Sequence, residues 1–364
     1  LAIGNVFRYA AKRRIRGSAL MSFTRFSFSR LTLALGLVAV ASPGFAQCTK
    51  ATVKPTVEKW TAAKYKANGA EITIYTGPVD RGSQLQITSG IDKSLWVAST
   101  GAGAIMKFTT KGEASLYVTP ESGSAPESIA PLGKLMAFTE WRTPCAGTAS
   151  KTGAVTEYDT GLSETQSTAM APSSAKLAYF ATDFNGIWTI SNTGKLAQIS
   201  LPDEGNQITG MGPGPNGDAY FVEYNGPTIG EVTPKGTYTE CNTGLGNLDS
   251  FGVAGGSDGR VWFADNGNNS IGATTLASCS TTDYTTGFTG DPVSITAGPD
   301  GNLYFGETTP VIGQITTAGK VTEYAFPATE GTFPVISLTV GPDGNIWFTN
   351  NSHSQVGMLK LPPA

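Results

Sequence analysis

Histidine is almost missing: His353 is the only one in 364 residues. That excludes a catalytic pair of histidines and a zinc site built on two imidazoles. Serine-nucleophile chemistry, which leans on a histidine base, has only this one residue to draw on. Charge is sparse as well, at 15% of residues. Cysteine is limited to Cys48, Cys145, Cys241 and Cys279. None of their spacings forms a C-x-x-C, so a cysteine-ligated metal is set aside, and the even count predicts two disulfides in an oxidising compartment, with three connectivities open. The apolar run Leu31 to Ala41 has about 11 residues, too few for the roughly 20 that span a bilayer.

Acidic residues are absent from positions 1–46, which carry Arg8, Lys12, Arg13, Arg14, Arg16, Arg25 and Arg30. Met21, the apolar run and Gly44-Phe45-Ala46 before Gln47 have the three regions of a secretory signal over 21–46, cleaved after Ala46. Gln47 before Cys48 does not suit a lipoprotein box. Residues 1–20 read as an upstream extension outside the native protein. The remaining chain holds 18 basic and 28 acidic residues, a formal charge of −10, which repels phosphate and argues against nucleic acid. The expectation is a secreted or periplasmic monomer without membrane insertion.

Glycine is plentiful, with 45 residues, and proline adds 21. They punctuate a repeat. Gly298-Pro299-Asp300-Gly301-Asn302-Leu303-Tyr304-Phe305 has a near copy in Gly341-Pro342-Asp343-Gly344-Asn345-Ile346-Trp347-Phe348 and five weaker ones. The first apolar residue after the turn falls at Leu95, Met136, Leu177, Ala219, Val261, Leu303 and Ile346, in steps of 41, 41, 42, 42, 42 and 43. A second column, an apolar residue usually followed by Gly, runs through Ile105, Ala146, Ile187, Ile229, Ile271, Ile312 and Val356. A period near 42 belongs to propeller blades or helical arrays.

Each unit carries four short β-rich runs split by turn residues, as in Ser294–Thr296, Leu303–Gly306, Ile312–Thr316 and Val321–Tyr324, with no room for a helix. The chain is therefore read as all-β, a seven-bladed β-propeller over 71–361 of four-stranded antiparallel blades. The last unit stops after its third strand, while Glu71-Ile72-Thr73-Ile74-Tyr75 resembles a fourth strand, so the N-terminal strand is expected to complete the last blade. Residues 47–70 form a leading arm, read as one short helix on the ring, and 362–364 a tail.

Residues ending each second strand share the open face: Ser99, Glu140, Thr182, Glu223, Asp265, Glu307 and Asn350. Four carboxylates crowded at about 8 Å repel by roughly 2 kcal/mol per pair, so protonation, hydrogen bonds or a cation must relieve them. Two readings stand: structural fastening by backbone and hydroxyl donors, or a Mg²⁺ or Ca²⁺ site using Glu223, Asp265 and Glu307. His353 lies in the last open-face loop, as a solvated residue or as the one general base titrating near neutrality. Glu140, Trp141, Arg142, Tyr224 and Asn350 are the ligand-binding candidates. Trp141, Arg142 and Tyr224 suit an apolar or sugar-like ligand and equally suit rim packing.

The units G-P-D-G-N-[LI]-[WY]-F-x-[EN], followed by [IV]-G-x-[IL] and V-T-E-Y, resemble the repeats of the streptogramin (virginiamycin B) lyase family over nearly all of 72–361. That resemblance implies a seven-bladed propeller. In the family's lyases it implies opening of a cyclic depsipeptide by elimination, with a top-face histidine moving the proton and Mg²⁺ held by carboxylates and histidine. By motif, Glu223 and Glu307 match metal-binding carboxylates. The histidines do not transfer, since no E-x-H follows any of the acids. Two function classes result: a non-catalytic module binding a small molecule, glycan or peptide on its open face, or a Mg-dependent C–O lyase or lactone-opening enzyme with a rearranged site.

Overall fold

A computed structural model of the chain describes residues 48–361 apart from 79–84, 122, 163–164, 166, 175, 183–185, 202–206, 225, 328–333 and 351–353. The signal segment, the upstream extension and His353 lie outside the described residues.

Seven antiparallel sheets form seven blades. Blade 6 shows the unit: Pro292–Ala297, Leu303–Glu307, Val311–Ile315 and Val321–Ala325 pair in sequence order. The innermost strands are Ile87–Ser89, Pro126–Leu132, Ser167–Ser174, Gln207–Pro213, Ser250–Gly255, Pro292–Ala297 and Val335–Val340. Each touches the next, and the seventh returns to the first. Closure is as expected. Ala70–Thr76 pairs antiparallel with Gln355–Lys360, placing Ile74 opposite Gly357 and Tyr75 opposite Val356.

The turn motif has a local reason. Gly301 sits at φ 82°, the left-handed region that favours glycine. Asp300 Oδ1 accepts the Asn302 N–H at 3.2 Å, and Asp300 Oδ2 accepts the Tyr304 hydroxyl at 2.9 Å. In blades 1, 5 and 7 the same aspartate holds an indole instead, Trp96 to Asp92, Trp262 to Asp258 and Trp347 to Asp343. One carboxylate thus both closes the hairpin and orients the aromatic that fills the space between blades. Those aromatics, with Phe138, Phe180, Phe221, Phe263, Phe305 and Phe348, are fully buried.

The arm departs from the helix expected of it. It forms three short strands, Lys50–Thr52, Thr56–Lys59 and Thr61–Ala67, which add a fifth strand to the outer edges of blades 2, 1 and 7 in turn. Trp60, at the step from blade 1 to blade 7, is buried in one cluster with Tyr75, Phe108 and Trp347. Its ring lies 5.0 Å from Phe108, edge-on, while Tyr75 stacks on Trp347 at 5.7 Å. The arm therefore plugs the seam at which the ring closes.

The four cysteines pair as Cys48–Cys145 and Cys241–Cys279, which accords with an oxidising compartment. The first ties the arm to the third strand of blade 2; the second links the outer edges of blades 4 and 5. Thiol titration of the unfolded, unreduced protein is expected to find none free, and two or more free thiols would contradict these pairings. Cys48–Cys145 spans a sequence separation of 97, so replacing both with alanine should cost about 2–4 kcal/mol in chemical denaturation. Among the described residues no helix is long and apolar enough to cross a membrane.

Candidate functional site

The open-face column is where the repeat placed it. Second strands end at Ser99, Glu140, Thr182, Asp265, Glu307 and Asn350, and Glu223 is the penultimate residue of Ala219–Tyr224. In blades 2 to 7 the inner strand bulges opposite this residue, with register breaks such as Ser250 to Gly252 and Pro292 to Ser294. A bulge bends its strand and re-aims side chains. Hydroxyls at the bulges join the blades: Thr209 donates to the Ser250 carbonyl at 2.5 Å and Ser294 to the Val335 carbonyl at 2.7 Å.

The acids themselves are buried. Glu140, Asp265 and Glu307 are fully inaccessible and Glu223 nearly so. Glu140 accepts the Ser124 hydroxyl at 2.6 Å on Oε1 and the Thr143 hydroxyl at 2.5 Å on Oε2, and it touches the Glu157 carboxyl. Asp265 accepts the Asp249 N–H at 3.1 Å and the Asn268 amide at 2.7 Å. Glu307 Oε2 accepts the Gly290 N–H at 2.6 Å and the Thr309 hydroxyl at 2.9 Å, and its carboxyl meets Glu323 of the fourth strand.

Each of these three acids is held by donors of its own blade. Ser and Thr hydroxyls at the bulges supply joints between blades. Burial, and then Glu323, pushes the Glu307 carboxyl up to about 8; burial does the same to Glu140, also to about 8. Asp249 rises to about 6 through burial and the nearby charge of Asp265.

A resident divalent cation wants several ionised oxygens free to converge. Among the described residues no three of His, Cys, Asp and Glu are grouped to hold one. Glu307 carries two donors on Oε2, while its Oε1 is buried without a donor. Asn350 donates to Gln355 Oε1 at 3.2 Å, and its own Oδ1 is buried without a donor.

Around this buried column lie the residues that reach solvent. Arg142 is exposed and Trp141 half-buried, its N–H bonded to the Ala125 carbonyl. Tyr224 is half-buried, tilted against Phe251 at 6.1 Å, and burial raises its phenol above the usual range. The string Gly255-Gly256-Ser257-Asp258-Gly259 has the spelling G-x-S-x-G of a nucleophile elbow, but it is the turn between the first two strands of blade 5. Ser257 donates to the Gly301 carbonyl at 2.7 Å.

Residues missed at the level of sequence are the partners of the acids, Glu157 and Glu323. A signal existed: a glutamate recurs 16 or 17 residues after Glu140, Glu223 and Glu307.

The solved structures most like this fold include a streptogramin B lyase, at TM-score 0.73 and 23% identity over 82% of this chain and 100% of that one. Virginiamycin B lyase from Staphylococcus aureus gives TM-score 0.72 and 23% identity over 80% and 99%. A catalytically inactive variant of that lyase with quinupristin gives TM-score 0.72 and 22% identity over 84% and 100%. At these identities the likeness establishes the fold. No curated protein matches the chain significantly. The model of the virginiamycin B lyase family matches residues 55–287 and 277–362, which overlap and together take in the arm from its second strand, all seven blades and the closing strand. The chain belongs to the virginiamycin B lyase family.

Proposed function

We propose that the protein is an exported, monomeric propeller that binds a small-molecule, glycan or peptide ligand on its open face without transforming it. The observation that carries this reading is the burial of the acidic column: Glu140 takes a hydroxyl on each oxygen, Glu307 Oε2 takes an N–H and a hydroxyl, and each has one carboxyl neighbour. Ligand contact then falls to Trp141, Arg142 and Tyr224, which reach solvent. An aromatic face beside a guanidinium suits a sugar or a peptide carboxylate. Export is supported by the leader over 21–46 and by the two disulfides.

A second reading, a Mg-dependent C–O lyase of the virginiamycin B lyase type or a lactone-opening enzyme with a rearranged site, is favoured by membership of the family. It requires His353 to move the proton, because no other imidazole exists. The two readings part on one assay: the mature chain is incubated with a cyclic depsipeptide lactone in millimolar Mg²⁺, and ring opening is followed by chromatography. Binding without opening is expected. Opening that disappears in a folded His353→Ala variant would overturn the first reading in favour of the second.

A further inference from the structure

At one register position the fourth strands carry an acid only where the second strands end on one. In blade 2, Thr139 faces Ala146, which faces Tyr158; Glu140 is one residue beyond the first and Glu157 one before the last. The same register places Glu223 with Glu240 in blade 4, Asp265 with Asp283 in blade 5 and Glu307 with Glu323 in blade 6. In blades 1, 3 and 7 the second-strand position is Ser99, Thr182 or Asn350, and the fourth-strand position is Leu116, Gln198 or Ile74. Four acids of four have an acidic counterpart, and three neutral residues of three have none. The carboxyls meet in blades 2 and 6, and in blade 5 side-chain length keeps them apart. The two aspartates of blade 5 are each a methylene shorter; Asp283 stays exposed and Asp265 turns to Asp249 and Asn268.

Two carboxylates both accept and neither donates, so a hydrogen bond between them needs a proton. In blade 2 that bond has a further load. Glu157 Oε2 accepts the Thr49 N–H at 3.1 Å, the Glu157 N–H donates to the Thr49 carbonyl at 2.8 Å, and the arm strand Lys50–Thr52 continues from there along Ala154–Asp159. Cys48, one residue earlier, is bonded to Cys145, itself two residues after the Thr143 that donates to Glu140. We propose that Glu140 and Glu157 share a single proton and that this proton fastens the start of the arm to blade 2, so that residues 49–53 lift off the blade edge when it is lost.

The groups packed around the pair agree. Glu121, in the loop before the inner strand, donates its N–H to Glu157 Oε1 at 3.5 Å, and its charge raises the Glu157 carboxyl, as burial does more strongly. Glu127 on the inner strand, Arg142 after the second strand, Asp159 on the fourth and Lys50 on the arm are the other charged groups nearby; Arg142, Asp159 and Lys50 are exposed. The third strand, Cys145–Ser150, has no charged residue. Among the described residues, Arg142 and Lys50, the basic groups named here, are both exposed and do not replace the proton inside. The sign follows. Glu140 is raised from 4.5 to about 8, so the folded, strapped state binds more protons than the opened one. Strapping is complete below the ordinary carboxyl value and is lost as pH rises through about 8.

The test is hydrogen exchange of the arm amides Ala51 and Val53 in the mature, disulfide-intact chain from pH 5.5 to 9, corrected for intrinsic exchange. Amides of Leu196–Ile199, an outer strand without an acid pair, serve as the internal control. Protection of the arm is expected to fall about tenfold per pH unit up to about 8 and to level off above it, the signature of one proton, while the control stays level. Glu140→Gln places a permanent N–H donor where the proton was, so it should hold the arm at its acid-side protection throughout; Glu157→Gln should do the same from the other partner. Arm protection that is flat with pH in the unmodified chain would overturn the proposal, as would a folded Gln variant that still shows the full fall. If neither variant folds, the profile of the unmodified chain decides alone.

Discussion

A chain lacking Glu71–Tyr75 should lose its cooperative melting transition near the parent's temperature and expose a sheet edge prone to aggregation. Ala70–Thr76 is sandwiched between two strands, Gln355–Lys360 on one side and Thr61–Ala67 on the other, so its removal strands two edges at once. It also takes Ile72, Ile74 and Tyr75 out of two cores. The arm shares this role. Trp60 closes the same seam, and Trp60→Ala should cost about 3–5 kcal/mol in urea denaturation, the usual range for truncating a buried large aromatic. Only 7% of Trp60 is exposed, so the lysine-rich arm is part of the fold. A deletion of 71–75 that melts like the parent would contradict closure, and a silent Trp60→Ala would contradict the sealing role of the arm.

The second large effect concerns the glycine in the third strand of blade 6. Gly313 pairs with Phe305 on one side and Glu323 on the other. A Cβ there would stand 1.9 Å from Phe305 Cζ, so Gly313→Ala must displace a fully buried ring. The expected loss is at the upper end of the roughly 1–3 kcal/mol that overpacking costs. Phe305→Leu in the same chain should recover part of it, because the two residues meet directly and their effects cannot add. Simple addition of the two losses in a double-mutant cycle would show that the ring is not what the glycine accommodates.

That glycine also explains what could be read from the chain and what could not. The blades were legible because their causes are local: Asp-Gly turns at a fixed offset, an aromatic four residues after the turn aspartate, and a glycine making room for a phenylalanine across the strand. Such features recur in several blades, the glycine opposite phenylalanine in blades 2, 4, 5, 6 and 7, and leave a period. The arm has no repeat, and the strands Thr56–Lys59 and Thr61–Ala67 carry Lys59, Lys64 and Lys66 on a mostly exposed rim, a pattern that does not separate a strand from a loop or a helix. Its one strong signal, Trp60, acts through partners more than a dozen residues away. The open-face acids were placeable by register but not by direction. Whether Glu307 looks into a shared cavity or back to Glu323 depends on the bulge opposite it, which no single position announces. Disulfide partners likewise depend on which blade edge the arm reaches.

The most direct test of the claim that the acidic column is internal structure is the melting temperature of the purified mature protein, measured with EDTA and with millimolar Mg²⁺ or Ca²⁺ near pH 7. A ligand that binds only the folded state raises the melting temperature by mass action. With Ser124 and Thr143 donating to Glu140 and Gly290 and Thr309 to Glu307 Oε2, no shift is expected in either ion. A rise with either ion that is abolished by Glu223→Gln combined with Glu307→Gln would contradict the account and place a cation at the column.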